Sequence, residues 1–146
     1  MTAAQKWSWI VAALDLRDDV VLTGWLGIDQ VVAAMSAADV LVVPKIDDLI
    51  NHAGFPTKIA EYLAMGKAVA TSTVGDISRY LTNGEDAVLC EPGNSHDLAQ
   101  ALYRLLSDSN LREHLGRAAR QTALRYFDYR ASGQQIEVGM LATHAG

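Results

Sequence analysis

Four short apolar runs, each closed by a turn former or leading into a helix-type pattern, constrain this chain's fold more than any other feature. They are Val20-Val21-Leu22-Thr23 before Gly24, Val40-Leu41-Val42-Val43 before Pro44, Ala68 to Thr71, and Ala87 to Cys90 before Pro92. A run that is apolar at every position lacks in–out alternation and belongs to a strand buried on both faces. Helix patterns separate the runs. Asp29 is placed to cap a helix carrying Val31, Val32, Met35 and Ala38, Pro56 opens another that Gly66 stops, and Gly75 starts a short one within Thr73 to Leu81. Residues 45 to 53 break the pattern and read as a loop. Beyond the Pro92-Gly93-Asn94 turn, Ser95 and Asp97 are candidate caps for a helix with Leu98, Ala101, Leu102, Leu105 and Leu106 on one face. Asp108 or Ser109 starts a further helix with Leu111, Leu115, Ala118, Ala119, Thr122 and Leu124. Residues 128 to 146 read as a final helix and tail, weakened by Gly133 and Gly139.

Strands alternating with helices predict a doubly wound α/β domain, a parallel sheet covered on both faces. Ligands of such sheets lie beyond the carboxyl ends of the strands, an edge formed here by Gly24 to Gly27, Pro44 to Gly54 and Thr71 to Gly75. At 146 residues the chain is read as a single domain, 1–146. A helix precedes the first expected strand, whereas a doubly wound domain ordinarily opens with a strand, so the domain is read as partial.

Composition excludes several functions. A net charge of −5 argues against a nucleic-acid surface. The single Cys90 cannot form an internal disulfide, and His52, His96, His114 and His144 are scattered, so neither a disulfide framework nor a metal site is expected. Cytoplasm is the expected compartment. The apolar run from Trp7 to Leu14 is too short to cross a membrane and carries no convincing cleavage site; it reads as a helix burying Trp7, Ile10, Val11 and Leu14.

Chemistry concentrates in AGFPTKIAEYLAMGKAVATSTVG, residues 53 to 75. Lys58 and Glu61 are one turn apart near a helix start, where free backbone N–H groups attract anions. A cation, an anion-favouring helix end and an acceptor-only carboxylate describe a site for a phosphorylated, sugar-like ligand. Without further context, the same pair reads as a solvated helix face. Trp25 reads as core, and Gly54 and Gly75 read as turn or phosphate-loop glycines.

The stretch GFPTKIAEYLAMGKAVATSTVGDISRYLTNGEDAVLCEPG, with AADVLVVP and VVLTGWL before it, resembles the GT-B-fold glycosyltransferases of family 4, glycosyl transferases group 1. The likeness extends over roughly residues 18 to 130, in the family's order. It implies one of two Rossmann-like domains facing each other across a cleft, here the C-terminal one, which binds a nucleotide-activated sugar. By resemblance, Glu61 holds the ribose hydroxyls. Gly54, Phe55, Pro56 and Thr57 of the FPTK motif bring the backbone to sugar and diphosphate, Lys58 assists the diphosphate, and Gly24, Trp25 and Leu26 lie against the base. The implied reaction retains anomeric configuration, with the leaving diphosphate stabilised by positive charge and helix N-termini rather than by a metal or other cofactor. No catalytic nucleophile is implied in this domain.

Three departures qualify the resemblance. The family's usual motif has two glutamates eight positions apart, the first contacting the donor sugar; Ala53 stands at that place, next to Asn51 and His52. Ala68 replaces a usual proline. The family's basic pair for the diphosphate and its acceptor domain have no counterpart in the chain, so turnover is not expected without a partner chain or missing domain. Three classes are therefore weighed: a donor-binding part of an enzyme, a non-catalytic binding or interaction module, and an unrelated doubly wound domain such as a receiver, which lacks the acidic cluster it needs. Donor sugar, base and acceptor, membrane-bound or soluble, are not specified. Unpaired strand edges predict an association-prone chain.

Overall fold

The computed structural model describes residues 2–54 and 57–130. Phe55, Pro56 and the Gly133–Gly139 part of the expected final helix lie outside the described residues. The chain divides into two compact units, Met1–Ala34 and Met35–Gly146.

In the second unit a parallel sheet is ordered β1-β2-β3, from β1 (Val40–Val43), β2 (Ala68–Ser72) and β3 (Val88–Cys90). Val40 lies opposite Ala68, and Ala70 opposite Val88. All five residues of β2 are buried, as its unbroken apolar pattern requires. β1 has only Leu41 fully buried, because it lies at an edge of the sheet among the described residues.

Successive strand side chains point to opposite faces, so β2 feeds two cores. On one face Val69 packs with Ile59 and Leu63 of α4 (Thr57–Ala64), Ile77 of α5 (Ile77–Tyr80), and Ala119 and Ala123 of α7 (Ser109–Tyr126). On the other, Ala68 and Ala70 pack with Ala101 and Leu105 of α6 (Ser95–Ser107) and with Leu115. The doubly wound α/β class follows directly from this two-sided cover.

Local signals set the helix ends. Gly66 stops α4 at φ +67°, its N–H bonding the Leu63 carbonyl at 2.9 Å. The next turn is pressed against α7: a Cβ on Gly116 would lie 2.3 Å from the Gly66 carbonyl oxygen, and Arg120 donates to the Ala64 carbonyl. Asn94, rather than Ser95 or Asp97, caps α6 by accepting from the His96 and Asp97 N–H groups, while Asp97 accepts from the Glu91 N–H. Asp108 caps α7. Buried Asp86 joins the turn before β3 to α7, accepting from the Thr82 N–H at 2.9 Å and the Thr122 hydroxyl at 2.7 Å.

The first unit holds α1 (Ala3–Ala13), whose Thr2–Gln5 capping box is complete, and the start of α2 (Ile28–Ala37). Three expectations are corrected here. Val20 to Thr23 is not a strand, since no described neighbour supplies a ladder and its apolar residues are exposed. Trp7 and Leu14 are exposed, leaving only Ile10 and Val11 half-buried on that face; no described residue of these 34 is fully buried, as expected of a segment too short for its own core. Asp29 lies inside the first turn of α2 instead of capping it, and the Gln30 side chain accepts from the Gly27 N–H.

Candidate functional site

Because the strands are parallel, their carboxyl ends share one edge, and three loops leave it: Pro44 to Gly54, Thr73 to Asp76 and Glu91 to Asn94. Backbone and side-chain contacts join them. The Lys45 N–H donates to the buried Ser72 hydroxyl at 2.9 Å, and the Gly93 N–H donates to the Lys45 carbonyl at 3.1 Å. Gly75, at φ +60°, lies so near the first loop that a Cβ would stand 2.7 Å from the Asn51 carbonyl oxygen. Its glycine is needed on both counts. Gly54 differs, with nothing within 4 Å of a Cβ built there.

The first loop is not irregular throughout, which corrects the sequence reading. It contains α3 (Leu49–His52), capped by Asp48, whose carboxylate accepts from the Asn51 N–H at 2.7 Å. The Asn51 side chain turns back to donate to the Ile46 carbonyl, and His52 Nε2 lies 2.5 Å from Asp47 Oδ1. Leu49 and Ile50 are 87% and 83% exposed.

The loop delivers the chain to α4. This helix is amphipathic at helical spacing: Ile59 and Leu63 are fully buried, while Lys58 and Glu61 share the exposed face. Lys58 Nζ lies 3.0 Å from Glu61 Oε2, with both side chains half exposed. Hydrogen bonding to Glu61, then its charge, raises the Lys58 pKa above the ordinary 10.5, so the ammonium is retained at neutral pH. An exposed pair of this kind adds little stability; its significance is that a cation and a carboxylate are held together near an anion-favouring helix end. Glu61 also lines a groove between α4 and α7 with Ala60, Ala64, Ala123 and Phe127, about 360 Å³ in volume. Its Oε1 has no bonded partner among the described residues.

The remaining sequence-derived candidates divide by place. Thr57 is the first residue of α4 and exposed. Gly24 takes φ +65°, Leu26 is half-buried, and Trp25 is fully exposed, which overturns its reading as core. These three belong to the first unit. Cys90 is buried, and burial followed by the charge of Asp97 raises its thiol pKa above 9.0, keeping it a neutral packing residue. Sequence reasoning missed the Asp47–His52 contact and the Gly75 packing: the first spans five positions with no periodic signal, and the second joins segments distant in sequence.

Known proteins match this architecture. Alpha-D-kanosaminyltransferase of Streptomyces kanamyceticus is 23% identical over 127 residues, 87% of this chain and 32% of its own. The 2-deoxystreptamine glucosyltransferase of the same organism is 32% identical over 98 residues, 67% of this chain and 24% of its own. Among solved structures, sucrose-phosphate synthase of Thermosynechococcus elongatus superposes with a TM-score of 0.81 at 25% identity, over 97% of this chain and 35% of that one. Alr3699/HepE of Anabaena, in complex with UDP and glucose, gives 0.79 at 22% identity, over 94% and 36%. The chain therefore corresponds to about a third or less of these relatives' lengths. The family described as glycosyl transferases group 1 matches residues 3–108, and the chain belongs to it.

Proposed function

We propose that this chain is the donor-binding part of a retaining glycosyltransferase, with Glu61 accepting from the ribose hydroxyls of a nucleotide sugar. Lys58, Thr57 and the amino end of α4 meet its diphosphate. One observation carries this reading: the Lys58–Glu61 pair stands in the first turns of α4, the helix that follows the β1 exit loop, and folds of this class take ligands beyond the carboxyl ends of their strands. The Glu61 oxygen left free by Lys58 is an acceptor for a hydroxyl donor. Similarity to enzymes whose names specify sugar transfer, and to a neighbour holding UDP and glucose, supports the same ligand class.

In this reading the backbone of Gly54, Phe55 and Pro56 approaches sugar and diphosphate. Leaving-group charge is met by the ammonium and the helix end, so no metal is required. Acceptor binding falls to another domain or chain, and these residues alone bind donor without turnover. The unpaired, buried Cys90 fits a cytoplasmic setting. A second reading, a binding module without catalysis, is favoured by Ala53, which places a methyl group where the family carries a carboxylate.

Calorimetric titration of the chain with UDP, GDP and ADP tests the site. At least one should bind, and Glu61→Gln should weaken it by roughly 1.5–3 kcal/mol, the worth of hydrogen bonds to a charged acceptor. Unchanged affinity in the variant removes Glu61 from the site; absence of heat with all three nucleotides removes the site itself.

A further inference from the structure

The first exit loop holds a dyad that the donor site does not yet use. His52 Nε2 and Asp47 Oδ1 are 2.5 Å apart, so the aspartate fixes the ring's orientation and accepts from its Nε2–H. A neutral imidazole in that tautomer keeps Nδ1 as a lone-pair acceptor. Among the described residues nothing bonds to that nitrogen.

The loop around the dyad is ordered by its own bonds. Asp48 caps α3, the Asn51 amide nitrogen donates to the Ile46 carbonyl, and Gly75 lies against the backbone of Asn51 and His52 from the neighbouring loop. At the end of α3, the Asn51 amide nitrogen thus has its partner, and the His52 ring keeps a nitrogen without a bonded partner among the described residues. Ala53, which follows, offers no polar side-chain atom. His52 is at the end of α3, and the chain runs from there through Gly54 to the start of α4.

We propose that His52 reads the transferred sugar, its Nδ1 accepting a hydrogen bond from a sugar hydroxyl, with Asp47 as the positioning residue. The inference rests on the donor-site reading above. A hydroxyl donates to a neutral ring nitrogen and a phosphate oxygen does not, so the contact distinguishes the sugar from the diphosphate that carries it.

The test compares UDP, GDP and ADP with UDP-glucose, GDP-glucose and ADP-glucose by calorimetry on the full chain. His52→Ala should leave nucleoside diphosphate affinity within about twofold while lowering that of the sugar conjugate by roughly fivefold to tenfold, the worth of one hydrogen bond. Asp47→Ala should lower the conjugate's affinity by a similar factor, and Asp47→Asn, which keeps an acceptor for Nε2–H, should restore part of it. A sugar conjugate that binds His52→Ala as well as it binds the native chain overturns the proposal and leaves the donor site standing. Equal losses for both ligand classes also overturn it, because the ring then contacts the diphosphate or shapes the loop. If no nucleotide binds the native chain, the donor-site reading falls and this proposal with it. Unchanged thermal midpoints show that the variants compared are folded.

Discussion

β2 and the loop that leaves β1 are neighbours held together by different physics. All five β2 residues are buried between two helical layers, with ladder bonds on both sides. In the loop, Leu49, Ile50 and His52 are exposed, and order comes from Asp48, Asn51, Asp47 and the backbone approach of Gly75. The difference shows how a fold presents chemistry. Burial fixes the strand at the cost of hiding it, whereas short-range polar bonds fix the loop while leaving its side chains free to meet a ligand.

The contrast can be broken from either side. Leu63→Ala removes a fully buried side chain beneath β2 and should cost about 2–5 kcal/mol of unfolding free energy, read by denaturant titration. A loss below 1 kcal/mol would mean that this layer is not tightly packed. Gly75→Ala should cost about 1–3 kcal/mol, because a methyl group meets the Asn51 carbonyl at a left-handed φ. It should also expose residues 45 to 54 to limited proteolysis, which Leu63→Ala at matched stability should not do. Asp48→Ala should cost about 1 kcal/mol through loss of the α3 cap, again with faster loop cleavage. Loop cleavage unchanged in both Gly75→Ala and Asp48→Ala would show that the loop is ordered by something other than these contacts.

The sequence made one side of this contrast far more legible than the other. Ala68 to Ser72 and the face of α4 bearing Ile59 and Leu63 follow from periodicity, because burial writes a repeating pattern into composition. The same pattern misled at Val20 to Thr23, since a strand also needs a neighbour to bond with, and residue type does not say whether one is present. Trp7 and Leu14 have helical spacing yet stay exposed in a segment without a core. At the candidate site, Lys58 and Glu61 were readable as an i, i+3 pair. The Asp47–His52 contact depended on the turn of α3, and the glycine requirement at position 75 depended on a segment more than twenty residues away.

The parallel sheet sorts the chain's turns by direction of travel. Segments entering strands, such as Gly66-Lys67 and Asn83 to Asp86, are locked to α7 through the Gly116 approach and the Asp86–Thr122 bond. Among the segments departing from strands, the one after β1 carries the Asp47–His52 contact and the exposed Leu49 and Ile50. Sequence drift at the departing end of β1 can thus alter the exposed surface without loosening the opposite rim, where the Gly116 approach and the Asp86–Thr122 bond hold the chain.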